Sequence, residues 1–264
     1  MDITPDYSQN IWKVESRDVI VTILKAMHDA APGLTTYQPS TTNAIGWTTV
    51  DNLGGDSFGV LTDWGQNTTV VNFFETDEYK EYVQVMYDLN QYGCISPNAL
   101  TDTTADSSNM MAGALAAFYT NGKPDITTGK VGDYEAMAIQ AGPDFSASSQ
   151  IGGSCWMMGY TTADPVAAMQ YLNFMYASPE WNNLFMWGEE GTDFTLNEEG
   201  LAVQNTDGDF SHAMQWLAPS QFKGYVKEGN PTDLWEQYQT FNDNAIKSPA
   251  SGLTFYIAPV STEF

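Results

Sequence analysis

The sequence predicts a globular protein of the α/β or α+β class. Helix-like and strand-like segments alternate along it. Several helices open on a sharp capping signal, and short apolar runs bounded by Gly, Pro or Asn lie between them. The chain has 264 residues, 42% hydrophobic and 13% aromatic, which is enough to bury a core and too apolar for disorder. Length admits one large domain or two smaller ones, and no internal repeat or low-complexity linker divides it.

Ser16 to Ala31 reads as the first helix. Ile20, Ile23, Leu24 and Met27 share a face, Ser16 is placed to cap it, and Pro32-Gly33 ends it. Residues 36–75 are rich in Thr, Asn, Gly and Asp, with short strands expected at Phe58–Leu61 and Thr69–Phe73. Thr76 to Tyr92 is the strongest helix. Tyr79, Tyr82, Val83, Met86 and Leu89 form its apolar stripe, Thr76 caps it, Asp77 and Glu78 suit the positive end of the dipole, and Gly93 stops it.

A short helix at Ser107–Gly113 precedes a buried strand at Ala114–Thr120 and a turn at Asn121–Pro124. Tyr134–Ala141 is strand-like, and so is the Gly-rich then apolar run Ile151–Tyr160. Asp164-Pro165 opens a helix through Tyr176, with Ala168, Met169, Leu172 and Met175 on one side. Ser178-Pro179-Glu180 repeats the device for a helix that stops at Gly188, before an acidic loop through Phe194. A last helix runs from Pro231 to about Lys247 with Leu234, Tyr238 and Phe241 in phase, and the tail from Leu253 is strand-like.

Charge narrows the function. Thirty-three acidic residues face nine basic ones, a net charge of −24. Phosphate backbones need Lys and Arg, so nucleic acid is excluded and anionic membrane surfaces are disfavoured. No stretch approaches a membrane span, and the first residues lack the basic and apolar regions of a signal peptide. The two cysteines, Cys94 and Cys155, fit either a disulfide or two free thiols, and neither belongs to a zinc pattern.

Catalytic motifs are missing. There is no GxSxG, P-loop, GxGxxG or HExxH. His28 lies within a helix and His212 near a helix start, neither placed as a base. Glu189-Glu190 and Asp207/Asp209 are carboxylate pairs of the kind a glycosidase uses, but adjacent carboxylates diverge and such pairs are common on acidic surfaces. Asn205 to Asp209 resembles half a calcium loop without its closing Glu, and a polar turn accounts for it. More telling are Trp47, Trp64, Tyr119, Trp156, Tyr160 and Trp187, which fall in loops or at strand ends. Aromatic faces with nearby amides and carboxylates suit sugar rings, and as a group they favour a small-molecule cleft.

Several segments together carry a family likeness. They are the helix and Pro-Gly of Val14–Gly33, the long helix ending in Gly93-Cys-Ile-Ser-Pro97, the run Met111–Tyr119, the helix of Ala163–Tyr176, and Trp187-Gly-Glu-Glu-Gly-Thr-Asp-Phe194. In this order and spacing the chain resembles bacterial extracellular solute-binding proteins of ABC importers, the family-1 carbohydrate-type group, and its lipoprotein-like branch. The resemblance covers nearly the whole chain, although each motif alone is loose.

The resemblance implies a periplasmic-binding-protein-like (type II) α/β fold, of which this chain, excised from a longer polypeptide, holds one lobe plus part of the second. Residues 1–150 would belong mainly to the second lobe, and residues 151–264 would return towards the first, incompletely. Gly152 and Gly153 would then lie near the hinge. It further implies capture of a carbohydrate by hinge closure, permease subunits of an ABC importer as partners, an extracellular, envelope-anchored location, and neither enzymatic activity nor a metal or cofactor. Trp64, Tyr119, Asn121, Trp156 and Glu190 are the residues expected to face the ligand, by stacking and hydrogen bonding. A carbohydrate-active enzyme and a cell-surface interaction module are the alternatives.

Overall fold

The computed structural model describes residues 11–39, 49–53, 59–120, 122–125, 134–148, 155–208, 210, 215–253 and 259. The chain forms two compact units, Met1–Ile151 with Thr240–Phe264, and Gly152–Gln239.

The first unit is built from strands separated by helices: β1 (Ile11–Val14), α1 (Arg17–Ala30), β2 (Thr35–Gln38), α2 (Asp77–Tyr92), α3 (Asp106–Met111), β3 (Leu115–Phe118), β4 (Ala138–Ala141) and β5 (Phe145–Ser146). Three described strand pairs hold it, β1 with β4, β2 with β3, and β5 with the late strand β8 (Ile246–Lys247), and all three are parallel. Parallel neighbours need long crossovers, and the intervening helices supply them, which makes this an α/β arrangement.

Capping physics explains the helix starts. Thr76 accepts a hydrogen bond from the Tyr79 amide at 3.1 Å, and Gly93 ends α2 at φ 95°. Ser16 takes the extended N-cap conformation of α1 without a side-chain bond. Leu24, Tyr37, Leu89 and Cys94 bury together, with Ile20, Val21, Met27, Val85 and Met86 around them. Val83 is instead exposed, because the stripe of α2 that meets α1 runs through Val85, Met86 and Leu89. The only arginine of the chain fastens these helices. Arg17 pairs with Glu78 at 3.0 Å and Glu81 at 3.3 Å, and Glu78 also accepts from the amide and hydroxyl of Thr49.

The second unit holds α4 (Pro165–Ala177), α5 (Pro179–Trp187), β6 (Phe194–Leu196), β7 (Ala202–Gln204) and most of α6 (Leu234–Asn244). Asp164 caps α4 through the Ala167 amide and Ser178 caps α5 through the Trp181 amide. Strands β6 and β7 form an antiparallel hairpin over Asn197–Gly200, whose signal is the apolar alternation on both sides of Asn-Glu-Glu-Gly. Met186, Trp187, Phe194, Ala202 and Ala218 make one core, and Leu201, Val226, Leu234 and Tyr238 another. Buried Asn182 ties them to the chain that follows. Its amide donates to the carbonyls of Met175 and Ser178, and its oxygen accepts from the Ser220 amide.

Among the described residues three expected strands do not form, and of the one expected at Phe58–Leu61 only isolated bridges at Val60 and Leu61 are present. Thr69–Phe73 contributes one bridge, Val60 to Val71, and then a 3-10 turn at Phe73–Glu75. Asn72 causes the switch by accepting from the Phe74 amide at 3.2 Å. Residues 155–159 lie in no strand. The tail at 254–258 lies outside the described residues, as do Trp47, Phe58, Asn121, Gly152, Gly153, Asp209 and His212. Cys94 and Cys155 form no disulfide with each other, the first being buried and the second exposed. Burial pushes the Cys94 thiol pKa up. Among the described residues no helix is long and apolar enough to cross a membrane.

Candidate functional site

The expected site residues divide between the units. Trp64 and Tyr119 belong to the first, and Trp156 and Glu190 to the second.

Trp64 sits in a constrained loop. Asp63 and Trp64 take positive φ, 55° and 53°, a region that side chains other than glycine rarely occupy, and Gly65 follows at 75°. The Trp64 amide donates to the Thr49 carbonyl at 2.6 Å. Its ring lies edge-on to Phe145 at 5.6 Å and presses on Gly142, where an added Cβ would approach the indole to 2.7 Å. Below the loop, buried Asp51 accepts from the Ser148 amide and, at 2.7 Å, from its hydroxyl. Asp51 also exchanges backbone bonds with Leu61. The Trp64 ring is thus half committed to packing.

Tyr119 follows the last residue of β3 and keeps 39% of its surface exposed. Burial around the phenol raises its pKa. Tyr119 thus lies at the C-terminal end of a parallel strand, where open α/β sheets characteristically place ligands.

Trp156 has the most developed surroundings. Its indole N–H donates to the Leu217 carbonyl at 2.9 Å, which holds the ring orientation. Its edge meets Trp181 at 6.2 Å and Phe185 at 5.9 Å. Trp181 and Phe185, four residues apart on α5, stack at 5.3 Å and 11°. Trp156 remains 43% exposed. The result is a partly solvated three-ring platform fixed at one polar end. Sequence reasoning missed Trp181 and Phe185, although their spacing on a capped helix was the available signal.

Glu190 is exposed in the loop after α5. Asp193, rather than either glutamate, organises that loop. Its carboxylate accepts from the Glu189 amide at 2.8 Å, its own amide donates to the Glu189 carbonyl, and its carbonyl accepts from the Asn205 amide. Asn205 completes the turn by donating to the Thr192 carbonyl and accepting from the Asp207 amide. That accounts for the half calcium loop as a polar turn. Among the described residues no group of three or more His, Cys, Asp or Glu could hold a metal ion. Trp187, grouped by sequence with the loop aromatics, is the fully buried last residue of α5 and belongs to the core. His28 packs edge-on to Tyr92, with Nδ1 3.4 Å from the Thr36 hydroxyl.

No family model and no curated protein matches the sequence. Solved structures do match. The N-glycan transport solute binding protein from Streptococcus pneumoniae superposes with a TM-score of 0.77 at 19% identity, over 95% of this chain and 56% of that one. The same protein in complex with Man1GlcNAc gives 0.71 at 18% identity, over 95% of this chain and 57% of that one. Its complex with Man5GlcNAc gives 0.71 at 19%, over 95% and 56%. The chain therefore has the α/β fold of a solute-binding protein and spans a little over half the length of the chains it matches.

Proposed function

We propose that this chain is part of an extracellular solute-binding protein that captures a neutral oligosaccharide for an ABC importer. The Trp156–Trp181–Phe185 platform carries the reading. A sugar ring presents an apolar CH face that stacks on an aromatic ring, and the Trp156 N–H, already bound to Leu217, locks that ring before ligand arrives. The fold supports the reading, since the solved protein that shares it is an N-glycan transport solute binding protein. Charge narrows the ligand class. A net charge of −24 on this chain disfavours sialylated or phosphorylated glycans and favours neutral mannose and N-acetylglucosamine chains as cargo.

In this reading Trp156 and Trp181 stack on the ligand. Tyr119 and Asn121 hydrogen-bond to hydroxyls, Trp64 and Glu190 border the site, and capture in the whole protein proceeds by hinge closure of two lobes. Permease subunits receive the loaded protein. Calorimetric titration of the natural polypeptide with Man5GlcNAc and with a sialylated glycan tests this. The neutral glycan binds and the sialylated one does not, and Trp156→Ala and Trp181→Ala each weaken binding by about tenfold with folding intact. Unchanged affinity in both variants, or preference for the anionic glycan, would falsify the reading.

A further inference from the structure

One short stretch, residues 215–225, is pinned by side chains from elsewhere in the second unit. It contains two 3-10 turns, Gln215–Leu217 and Gln221–Lys223, which lie against each other, and the later turn also lies against α5. Three indole N–H groups donate to its carbonyls: Trp156 to Leu217 at 2.9 Å, Trp235 to Gly224 at 2.9 Å and Trp187 to Tyr225 at 3.3 Å. From α5, the side-chain oxygens of Asn182 and Asn183 accept from the Ser220 and Tyr225 amides. Position 224 has no room for a side chain, because an added Cβ would overlap buried Met186. A backbone bound at so many points is rigid, and the rings that stand on it are fixed before a ligand arrives.

Two ring clusters stand on this stretch. The Trp156–Trp181–Phe185 platform meets it at Leu217. At Gly224 another cluster is built the same way. Trp235 and Tyr238 on α6 lie 5.7 Å apart, and Phe222 meets them edge-on at 5.8 Å and 6.3 Å. Again an indole N–H bound to a backbone carbonyl fixes the ring. Leu234 and Tyr238 already close the core beneath, at 0% and 8% exposure, whereas Phe222 keeps 46% of its surface in water. A lone exposed Phe needs no explanation, but one held against an oriented indole is a ready stacking surface. Gln221 and Lys223, on either side of it in the turn, carry groups that can donate to ring hydroxyls.

We infer that Phe222 and Trp235 form a second stacking subsite, for a sugar ring further along the same neutral oligosaccharide. The inference rests on the function proposed above and adds to it a preference for length. Because the two turns touch, a chain of sugar rings can run from the first platform to the second. A short glycan fills the first platform alone. A long one reaches both, and the second contact adds affinity without a second association cost.

Calorimetric titration of the natural polypeptide with Man1GlcNAc and with Man5GlcNAc tests the subsite. Phe222→Leu keeps apolar bulk over Trp235 and removes the aromatic face, and Phe222→Tyr keeps that face. Phe222→Leu should weaken Man5GlcNAc about fivefold to tenfold and leave Man1GlcNAc within about twofold, whereas Phe222→Tyr should leave both unchanged. Trp156→Ala should instead weaken both glycans. A general loss of folding cannot produce the split, since it lowers the binding of both alike. Unchanged Man5GlcNAc affinity in Phe222→Leu, or equal weakening of the two glycans, would overturn the inference and leave the proposed function standing. A parent protein that binds neither glycan would overturn both.

Discussion

Replacing Gly188 by alanine isolates what shapes the acidic loop. Gly188 adopts φ 81° and ψ −145°, a region essentially restricted to glycine. A Cβ there would also collide with the Asp193 carboxylate and come within 2.8 Å of the Asp193 Cβ and Cγ. Asp193 cannot simply yield, because its amide and carbonyl are bonded to Glu189 and Asn205. Its carboxylate must rotate away and give up the Glu189 amide. The backbone change costs about 1–3 kcal/mol, and the lost charge-assisted bond about 1.5–3 kcal/mol. Together they give about 2.5–6 kcal/mol.

Gly191 is the control. Its φ is 85°, yet nothing lies within 4 Å of an added Cβ, so alanine costs only the backbone part, about 1–2 kcal/mol. Urea unfolding followed by tryptophan fluorescence reads both, since Trp187 is buried beside the loop. In an Asp193→Ala background the carboxylate and its bond to the Glu189 amide are gone and only the 2.8 Å approach to the Cβ at 193 remains, so Gly188→Ala should cost about 1.5–3 kcal/mol less than in the parent. Equal penalties at 188 and 191, or no relief from Asp193→Ala, would refute the reasoning.

Other outcomes follow from the same structure. Asp51→Ala leaves the buried Ser148 amide and hydroxyl without an acceptor and should cost about 2–4 kcal/mol in urea unfolding, more than Ser148→Ala. Thr76→Ala should cost about 1 kcal/mol by removing the α2 cap, and Thr76→Asn should restore most of it, by the same measurement. Trp64→Ala should lower the melting temperature because its ring fills the space between Gly142 and Phe145, whereas Trp156→Ala should act on ligand affinity first. The Glu180 pKa is held down by its own backbone amide first and by the Ser178 hydroxyl second. A depressed carboxylate stabilises the fold above the unfolded-state pKa, and that contribution fades as pH falls below about 4. An NMR titration should show Ser178→Ala moving Glu180 back towards its ordinary value.

Helices were the legible part of this protein. Thr76, Asp164 and Ser178 stand where capping demands them, and each bond is present. The aromatic content pointed to a binding cleft before any coordinates. Which aromatics meet was not legible. Trp181 and Phe185 looked like ordinary helix residues, and Trp187 looked like a loop residue, although it is core. The strand readings failed at Thr69–Phe73 because one side-chain bond from Asn72 outweighs β-propensity in so short a run.

Local order, then, is what the sequence determined by itself, since a cap or an apolar stripe is complete within a few residues. The alternation that suggested an α/β class and the acidic charge that argues against nucleic acid are likewise readable from the sequence. Tertiary structure alone decided the parallel pairing of β1 with β4 and β2 with β3, the buried Asp51–Ser148 contact, and the role of Asp193 in place of Glu190. Most of these contacts join residues many positions apart, and all depend on how the intervening chain packs. No local preference encodes that.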